Sequence, residues 1–239
     1  MTADRWTQAV RQQLNLGRLL PLGDPGDGAW IAEDAAGTVL RHAANAVPGV
    51  RLDALRITVA DPDAARSPAV PPPPSALPPG PLRVTAEFAA TAAEPLPATA
   101  GRLRTALSAA AARRLGLTVA EVDLRVTALL DEATGPEAVR PSEPARARQP
   151  AGGEAAAVAA AALGVPGVSC LTGVLGGLGR AVHIESGPGD ATLPRRHVRV
   201  ELAVDADHRA VEVARKVRTR VGIALPDHPT VAVLITAIG

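Results

Sequence analysis

Residues 116–130 read GLTVAEVDLRVTALL, and residues 222–239 read GIALPDHPTVAVLITAIG. Each segment begins with a glycine after a basic, helix-like stretch and continues with an apolar pair and a polar turn that contains Glu121 or Asp227. Each then ends in a run rich in β-branched residues, which are typical of strands. Because the chain carries the same ending twice, the residues upstream of the two segments should also correspond.

The upstream residues do correspond. Two alanine-rich stretches, residues 32–50 and 153–168, end in the same tetrapeptide, Val-Pro-Gly-Val. Proline ends a helix, and glycine supplies the turn that follows. In both halves a short strand is predicted next (ALRITVAD at 54–61 and GRAVHIES at 179–186), followed by a longer alternating strand. The apolar face of the longer strand is Val84, Ala86 and Phe88 in the first half and Val198, Val200, Leu202 and Val204 in the second.

A second amphipathic helix follows the longer strand in both halves, before the closing strand. Its apolar stripe consists of Leu103, Leu107, Ala110 and Ala111 in the first half and of Ala210, Val213, Ala214, Val217 and Val221 in the second. The sequence therefore predicts an α+β fold with two tandem αββαβ units, each a small three-stranded sheet covered by two helices.

The predicted organisation is an N-terminal amphipathic helix at residues 1–20, a first unit at 30–131, a linker at 132–152 and a second unit at 153–239. The linker is rich in proline and polar residues and has no periodicity. Residues 66–81, RSPAVPPPPSALPPGP, form a proline-rich insertion in the first unit. Since proline cannot donate to a strand ladder, we expect this insertion to be an exposed, poorly ordered loop whose deletion changes the melting temperature little.

The composition excludes several classes of protein. Net charge is +1, so no global field attracts DNA or a membrane surface, and a single cysteine excludes an internal disulfide. Aromatic residues make up 1% of the chain, which favours small, closely packed helices over an aromatic-lined pocket. The uncharged stretch at 155–179 is interrupted by Pro166-Gly167, so we expect a buried helix, a turn and a strand rather than a transmembrane span. Without an apolar leader at the N-terminus, a cytoplasmic protein is expected.

Residues 30–131 resemble the alkaline-shock and envelope-stress-response family of Gram-positive bacteria. The resemblance lies in the helix that ends in Pro-Gly-Val, the alternating valine-rich strand, the basic amphipathic helix and the GLTVAEVDLRVTALL ending. The second copy departs from the pattern, with an almost pure alanine helix, a shorter second helix, and Pro226 and Pro229 in its ending. The resemblance implies a non-enzymatic cytosolic protein that gathers near the membrane, often through a membrane-anchored partner, and self-associates.

No catalytic, cofactor-binding or metal-binding residues are predicted. The glycine-rich GVLGGLGR at 173–180 lacks the endings of phosphate and dinucleotide loops. The histidines have no metal-ligand spacing, although His183 and His197 could lie on neighbouring strands. Cys170 lies in an apolar stretch and is expected to behave as an inert small hydrophobic residue. Asp24, Asp27, Asp61 and Asp63 flank glycine or proline and are typical of turns.

Two surfaces remain as candidate interaction faces. The second-unit helix carries Arg209, Arg215, Lys216, Arg218 and Arg220, which can attract an anionic membrane weakly or can simply be solvated. The predicted N-terminal helix has an apolar stripe that includes Trp6 and Val10, which we expect to dock on the first unit; the alternative is a partner or a membrane. We therefore expect a non-catalytic scaffold or envelope-homeostasis protein that uses no cofactor. The alternatives are a nucleic-acid-binding module that uses the basic helix faces and, less favoured, a small-molecule enzyme.

Overall fold

A computed structural model of the chain describes residues 17–131, 144–175, 179–187 and 195–239. These residues form an α+β fold with four α-helices and nine strands in two sheets. The helices are α1 (Glu33–Asn45), α2 (Leu96–Ala110), α3 (Gly153–Leu163) and α4 (Ala210–Ala224). The strands are β1 (Leu19–Pro21), β2 (Ala29–Ala32), β3 (Val50–Val59), β4 (Leu82–Thr91), β5 (Val119–Leu130), β6 (Val168–Leu171), β7 (Val182–Gly187), β8 (Arg195–Val204) and β9 (Thr230–Ile238). Trp6, Val10 and most of the predicted N-terminal helix lie outside the described residues, and Leu19 and Leu20 belong to β1.

The first sheet has three strands in the order β3-β4-β5, with β3 antiparallel and β5 parallel to β4. Helix α1 packs on β3, and α2 packs on β5 and on α1. The helices bury the predicted apolar face of β4, where Val84, Ala86 and Phe88 are at most 1% exposed. The predicted stripe of α2 is buried as well.

The second sheet has six strands, in the order β1-β2-β9-β8-β6, with β7 also paired to β8. The prediction of a three-stranded sheet for residues 153–239 is therefore too small, because β1 and β2 join from the other half of the sequence. Strands β6 and β7 pair with successive parts of β8, like one strand interrupted by residues 172–181. They run antiparallel to β8, and β9 runs parallel to it, which are the directions found in the first sheet.

The two Val-Pro-Gly-Val segments form equivalent turns. Helix α1 ends at Asn45 and α3 at Leu163, and the glycines, Gly49 and Gly167, have φ angles of 72° and 92°. Each glycine carbonyl accepts a hydrogen bond of 2.9 Å from the backbone amide at or just after the end of the neighbouring strand, Thr91 in one case and Asp205 in the other. The predicted stop signal thus ends both helices and starts β3 and β6.

A second correspondence lies in the parallel strand pairs. Strand β5 carries one extra residue, Thr127, beside the Phe88–Ala89 step of β4, and β9 carries Thr236 beside the Leu202–Ala203 step of β8. Each threonine hydroxyl lies within hydrogen-bond distance of the carbonyl of the residue before that step, Phe88 at 3.2 Å and Leu202 at 3.4 Å, and the Thr127 hydroxyl lies closer still to the Asp53 carboxylate, at 2.8 Å. The two bulges therefore have the same position and a threonine hydroxyl beside the same carbonyl.

The expectation of an exposed proline-rich loop at residues 66–81 is wrong in part. Val70, Pro73 and Pro79 are buried, and the Leu77 backbone amide donates to the Leu19 carbonyl of β1 at 2.8 Å. The Trp30 indole in turn donates to the Leu77 carbonyl at 3.4 Å. Proline prevents a strand ladder but does not prevent packing, so this segment covers β1 and β2.

The two halves meet at the start of α4. The Val211 side chain, 2% exposed, packs against Gly116 so closely that a Cβ there would lie 2.3 Å from Val211 Cγ1. Arg114 donates to the Ala206 carbonyl, and Arg209 donates back to the Ala112 carbonyl at 3.1 Å. Helix α1 packs on both β3 and β9, so the two sheets share one hydrophobic core.

Candidate interaction surfaces

The predicted basic face of α4 is largely engaged within the chain. Arg215 forms a two-pronged ion pair with Asp27, with nitrogen–oxygen distances of 2.8 and 2.7 Å. Arg218 donates to the Gly26 carbonyl, and Arg209 pairs with Glu212 at 3.1 Å. Lys216 and Arg220 are exposed and form no ion pair with the described residues. This face therefore joins α4 to the loop before β2, and few of its cations remain for a partner.

The ion pair with Arg215 also changes the titration of Asp27, whose side chain is 15% exposed. Burial by itself raises the pKa of this carboxyl, but the hydrogen bonds from Arg215 and the Asp24 amide, with the charges of Arg215 and Arg218, lower it below its usual value. Asp27 was predicted only as a turn former. Nothing near it in the sequence indicates a partner 188 residues away.

Glu201 is a fully buried carboxylate beneath the β6–β7 connection. Its Oε2 accepts hydrogen bonds from the backbone amides of Val174 (2.8 Å) and Leu175 (3.0 Å), and its Oε1 lies 3.4 Å from His183 Nε2. The Thr172 and Thr236 hydroxyls form a hydrogen bond of 2.7 Å under the same connection. The start of the glycine-rich segment, at Val174 and Leu175, is therefore anchored on the sheet by a buried acid.

His183 and His197 lie on the neighbouring strands β7 and β8, as the sequence allowed, but they are not opposite each other. His183 is opposite Arg199, and His197 is opposite Glu185, with His197 Nδ1 2.9 Å from the Thr230 hydroxyl. Cys170 is half-buried in β6. The turn before α4 brings together two carboxylates and an imidazole, whose oxygen and nitrogen atoms lie within 4.8 Å of one another, in Asp205, Asp207 and His208.

A cavity of about 580 Å³ opens beside the start of α3. Val182 and Ile184 contribute apolar surface to its lining, and Arg148 and Arg180 contribute positive charge. Its described lining contains no acidic, histidine, serine or cysteine side chain, so these residues offer charge and apolar surface to a solute but no proton-transfer group.

Strand β5 forms an open edge of the first sheet. It pairs only with β4 among the described strands, and none of its residues is buried, with Val126 37% and Leu129 62% exposed. The Arg104 guanidinium donates to the Val122 carbonyl at 3.1 Å, the one side-chain hydrogen bond found to a backbone group of β5 in the described chain. The edge thus presents unpaired backbone groups together with apolar side chains.

The corresponding edge of the second sheet is closed. Strand β2 pairs in parallel with β9, placing Trp30 beside Leu234, and every residue of β9 from Val231 to Ile238 is buried. The closing strand comes from the residues just before α1, in the other half of the sequence. Strands β5 and β9 therefore hold the same place in the topology of their sheets. They differ because β9 has a neighbouring strand on its outer side and β5 has none among the described strands.

No family model and no curated protein matches this chain. Within the described parts of the sequence, no helix combines the length and apolar composition needed to cross a membrane.

Proposed function

We propose that the chain consists of two αββαβ units that arose by tandem duplication. The identical strand directions, the equivalent Pro-Gly turns and the two threonine-supported bulges support this proposal. A bulge is a specific local feature that is retained within families, so its recurrence at one topological position favours common descent over chance.

We further propose that the protein is a non-catalytic scaffold that binds protein segments at the free edge of β5. The observation that carries this proposal is the contrast between the open β5 and the covered β9. An exposed edge offers backbone donors and acceptors that an extended peptide can pair with, and the alternate side chains supply specificity. The resemblance to envelope-stress proteins adds the proposal that the partner is membrane-anchored and that the scaffold works at the cytoplasmic face of the membrane.

Binding of nucleic acid through the basic helix face is the less favoured function. Arg209, Arg215 and Arg218 already hold carbonyl or carboxylate oxygens of the same chain. Binding of phosphate groups there would require these contacts to break.

The test is a comparison of two surface variants in native cells. Val126→Lys combined with Leu129→Lys places charge on the β5 edge, and Ile223→Lys, at a position 70% exposed on α4, is the matched control. We expect the edge variant to lose its co-purifying protein while the control retains it. Purified partner should then slow hydrogen exchange of the β5 amides. Equal recovery by both variants, or retention of nucleic acid by both at physiological salt, would contradict the proposal.

A further inference from the structure

We infer that the cavity beside the start of α3 binds a small phosphate monoester that carries an aliphatic chain. Arg148 and Arg180 bind the phosphate, and Val182 and Ile184 contact the chain. The inference goes beyond the scaffold function, because residues of the predicted linker, α3 and β7 line the cavity and none of β5 does. The volume of about 580 Å³ lies within the range of about 300–1,000 Å³ that is usual for small-molecule sites.

Backbone contacts hold the two arginines of the cavity close to each other. The predicted linker runs along the connection between β6 and β7, where the Arg148 amide donates to the Gly179 carbonyl at 2.8 Å. A Cβ on Gly179 would lie 3.9 Å from Arg148 Cγ, so the Arg148 side chain passes next to the residue that precedes Arg180. The Arg180 carbonyl in turn lies 3.1 Å from His183 Nε2. Two segments that are distant in the sequence therefore place one arginine each in the same cavity.

The positive charge of the cavity is not neutralised by its lining. Arg148 and Arg180 are both exposed, neither forms an ion pair with a described residue, and the lining contains no acidic side chain. Glu154, in the first turn of α3, accepts a hydrogen bond of 3.0 Å from Arg196 Nη1 and is not part of the lining. Two like charges in one cavity repel each other, and an anion between them removes that repulsion. Because guanidinium groups bind oxyanions in a two-pronged geometry, an oxyanion is the expected occupant.

The composition of the lining indicates the class of ligand. Two guanidinium charges match a phosphate monoester, which carries a charge of about −1.5 to −2 at pH 7, whereas a carboxylate neutralises only one of them. Val182 and Ile184 alternate along β7 and therefore lie on the same face of the strand. They give the lining aliphatic surface, and the lining contains no aromatic ring that could stack on a nucleotide base. Since each methylene group that leaves water adds to affinity, an alkyl chain attached to the phosphate fits this surface.

The test is calorimetric titration of the purified chain with hexyl phosphate. We expect hexyl phosphate to bind at least about tenfold more tightly than inorganic phosphate, which lacks the chain, and than 1-hexanol, which lacks the charge. Arg148→Gln and Arg180→Gln should each weaken the binding of hexyl phosphate about tenfold, because each removes charge-assisted hydrogen bonds to the phosphate. Arg113→Gln, which removes the same charge at an exposed position between α2 and β5, is the matched control and should change the affinity by less than about twofold.

The position of the chain is tested by the methyl signals of Val182 and Ile184 in NMR spectra, which should shift during the titration with hexyl phosphate. Circular dichroism confirms that each variant is folded. No binding at the solubility limit, equal affinities for hexyl phosphate and inorganic phosphate, or undiminished affinity in both arginine variants would overturn the inference. Retention of the protein on vesicles that contain phosphatidic acid, without binding of soluble hexyl phosphate, would also overturn it, because the phosphate would then belong to a membrane and not to a free small molecule.

Discussion

Gly116 shows how a single position can hold the two halves of the chain together. Its φ is +90°, and a Cβ would lie 2.3 Å from Val211 Cγ1 and 2.6 Å from Val211 Cβ. Gly116→Ala therefore combines left-handed backbone strain with overpacking, and we expect it to lower the free energy of unfolding by about 2–4 kcal/mol in a urea titration. Gly101→Ala is the control, because nothing lies within 4 Å of its Cβ inside α2. It should stabilise the protein by about 0.5–1 kcal/mol. Equal effects of the two substitutions would show that Gly116 does not limit this contact.

His197 gives the stability a pH dependence. Burial lowers its pKa below the ordinary value of 6.5, and the charge of Arg199 acts in the same direction, whereas Glu185 and the Thr230 hydrogen bond oppose the change. The folded state thus binds fewer protons than the unfolded state at pH values just below 6.5. The contribution of neutral His197 to the free energy of unfolding is therefore complete above the pKa that His197 has in the unfolded state. It is lost as the pH falls through the lower pKa that His197 has in the folded state. We expect His197→Gln to reduce the loss of unfolding free energy between about pH 7.5 and about pH 5.5. A His42→Gln control, at an exposed position, should leave that loss unchanged, and an unchanged loss in His197→Gln would contradict the prediction.

At the scale of elements, the proline-rich segment has a structural role. Val70 is 4% exposed, and its Cγ2 would lie 2.8 Å from a Cβ on Gly28. Val70→Ala removes two buried methyl groups, so we expect a loss of about 1–3 kcal/mol in the free energy of unfolding, measured by urea titration. Pro71→Ala, at the exposed neighbouring position, should change it by less than about 0.5 kcal/mol. A Val70→Ala protein as stable as the original would restore the view that this segment is a tolerated insertion.

The sequence predicted the elements whose signal is local. Both Pro-Gly turns, the buried faces of β4 and β8 and the apolar stripes of α2 and α4 are confirmed, because periodicity and turn chemistry are set by near neighbours. Strands β1 and β2 were missed, since segments of 3 and 4 residues are too short to show alternation. The pairing of β2 with β9 and the ion pair between Asp27 and Arg215 join residues about 200 positions apart. The open edge of β5 was also invisible, because alternation describes the faces of a strand and not its edges.

At the scale of the whole molecule, the two proposed units should unfold together. Strand β2 lies in the second sheet but leads directly into α1, and α1 packs on strands of both sheets. Arg114 and Arg209 exchange hydrogen bonds across the same junction. Since neither half can lose its structure without uncovering the other, we expect one calorimetric transition whose calorimetric and van't Hoff enthalpies agree.

The topologically equivalent core residues Phe88 and Leu202 allow a sharper version of this prediction, because each reports on one half. Phe88→Leu and Leu202→Val should each move the single transition to lower temperature by a few degrees without splitting it, as about 1 kcal/mol of destabilisation does in a domain of this size. Two transitions, of which each substitution moves only one, would mean that the halves are independent domains. In that case the β2–β9 pairing would act as a tether between two folded bodies and not as part of a common core.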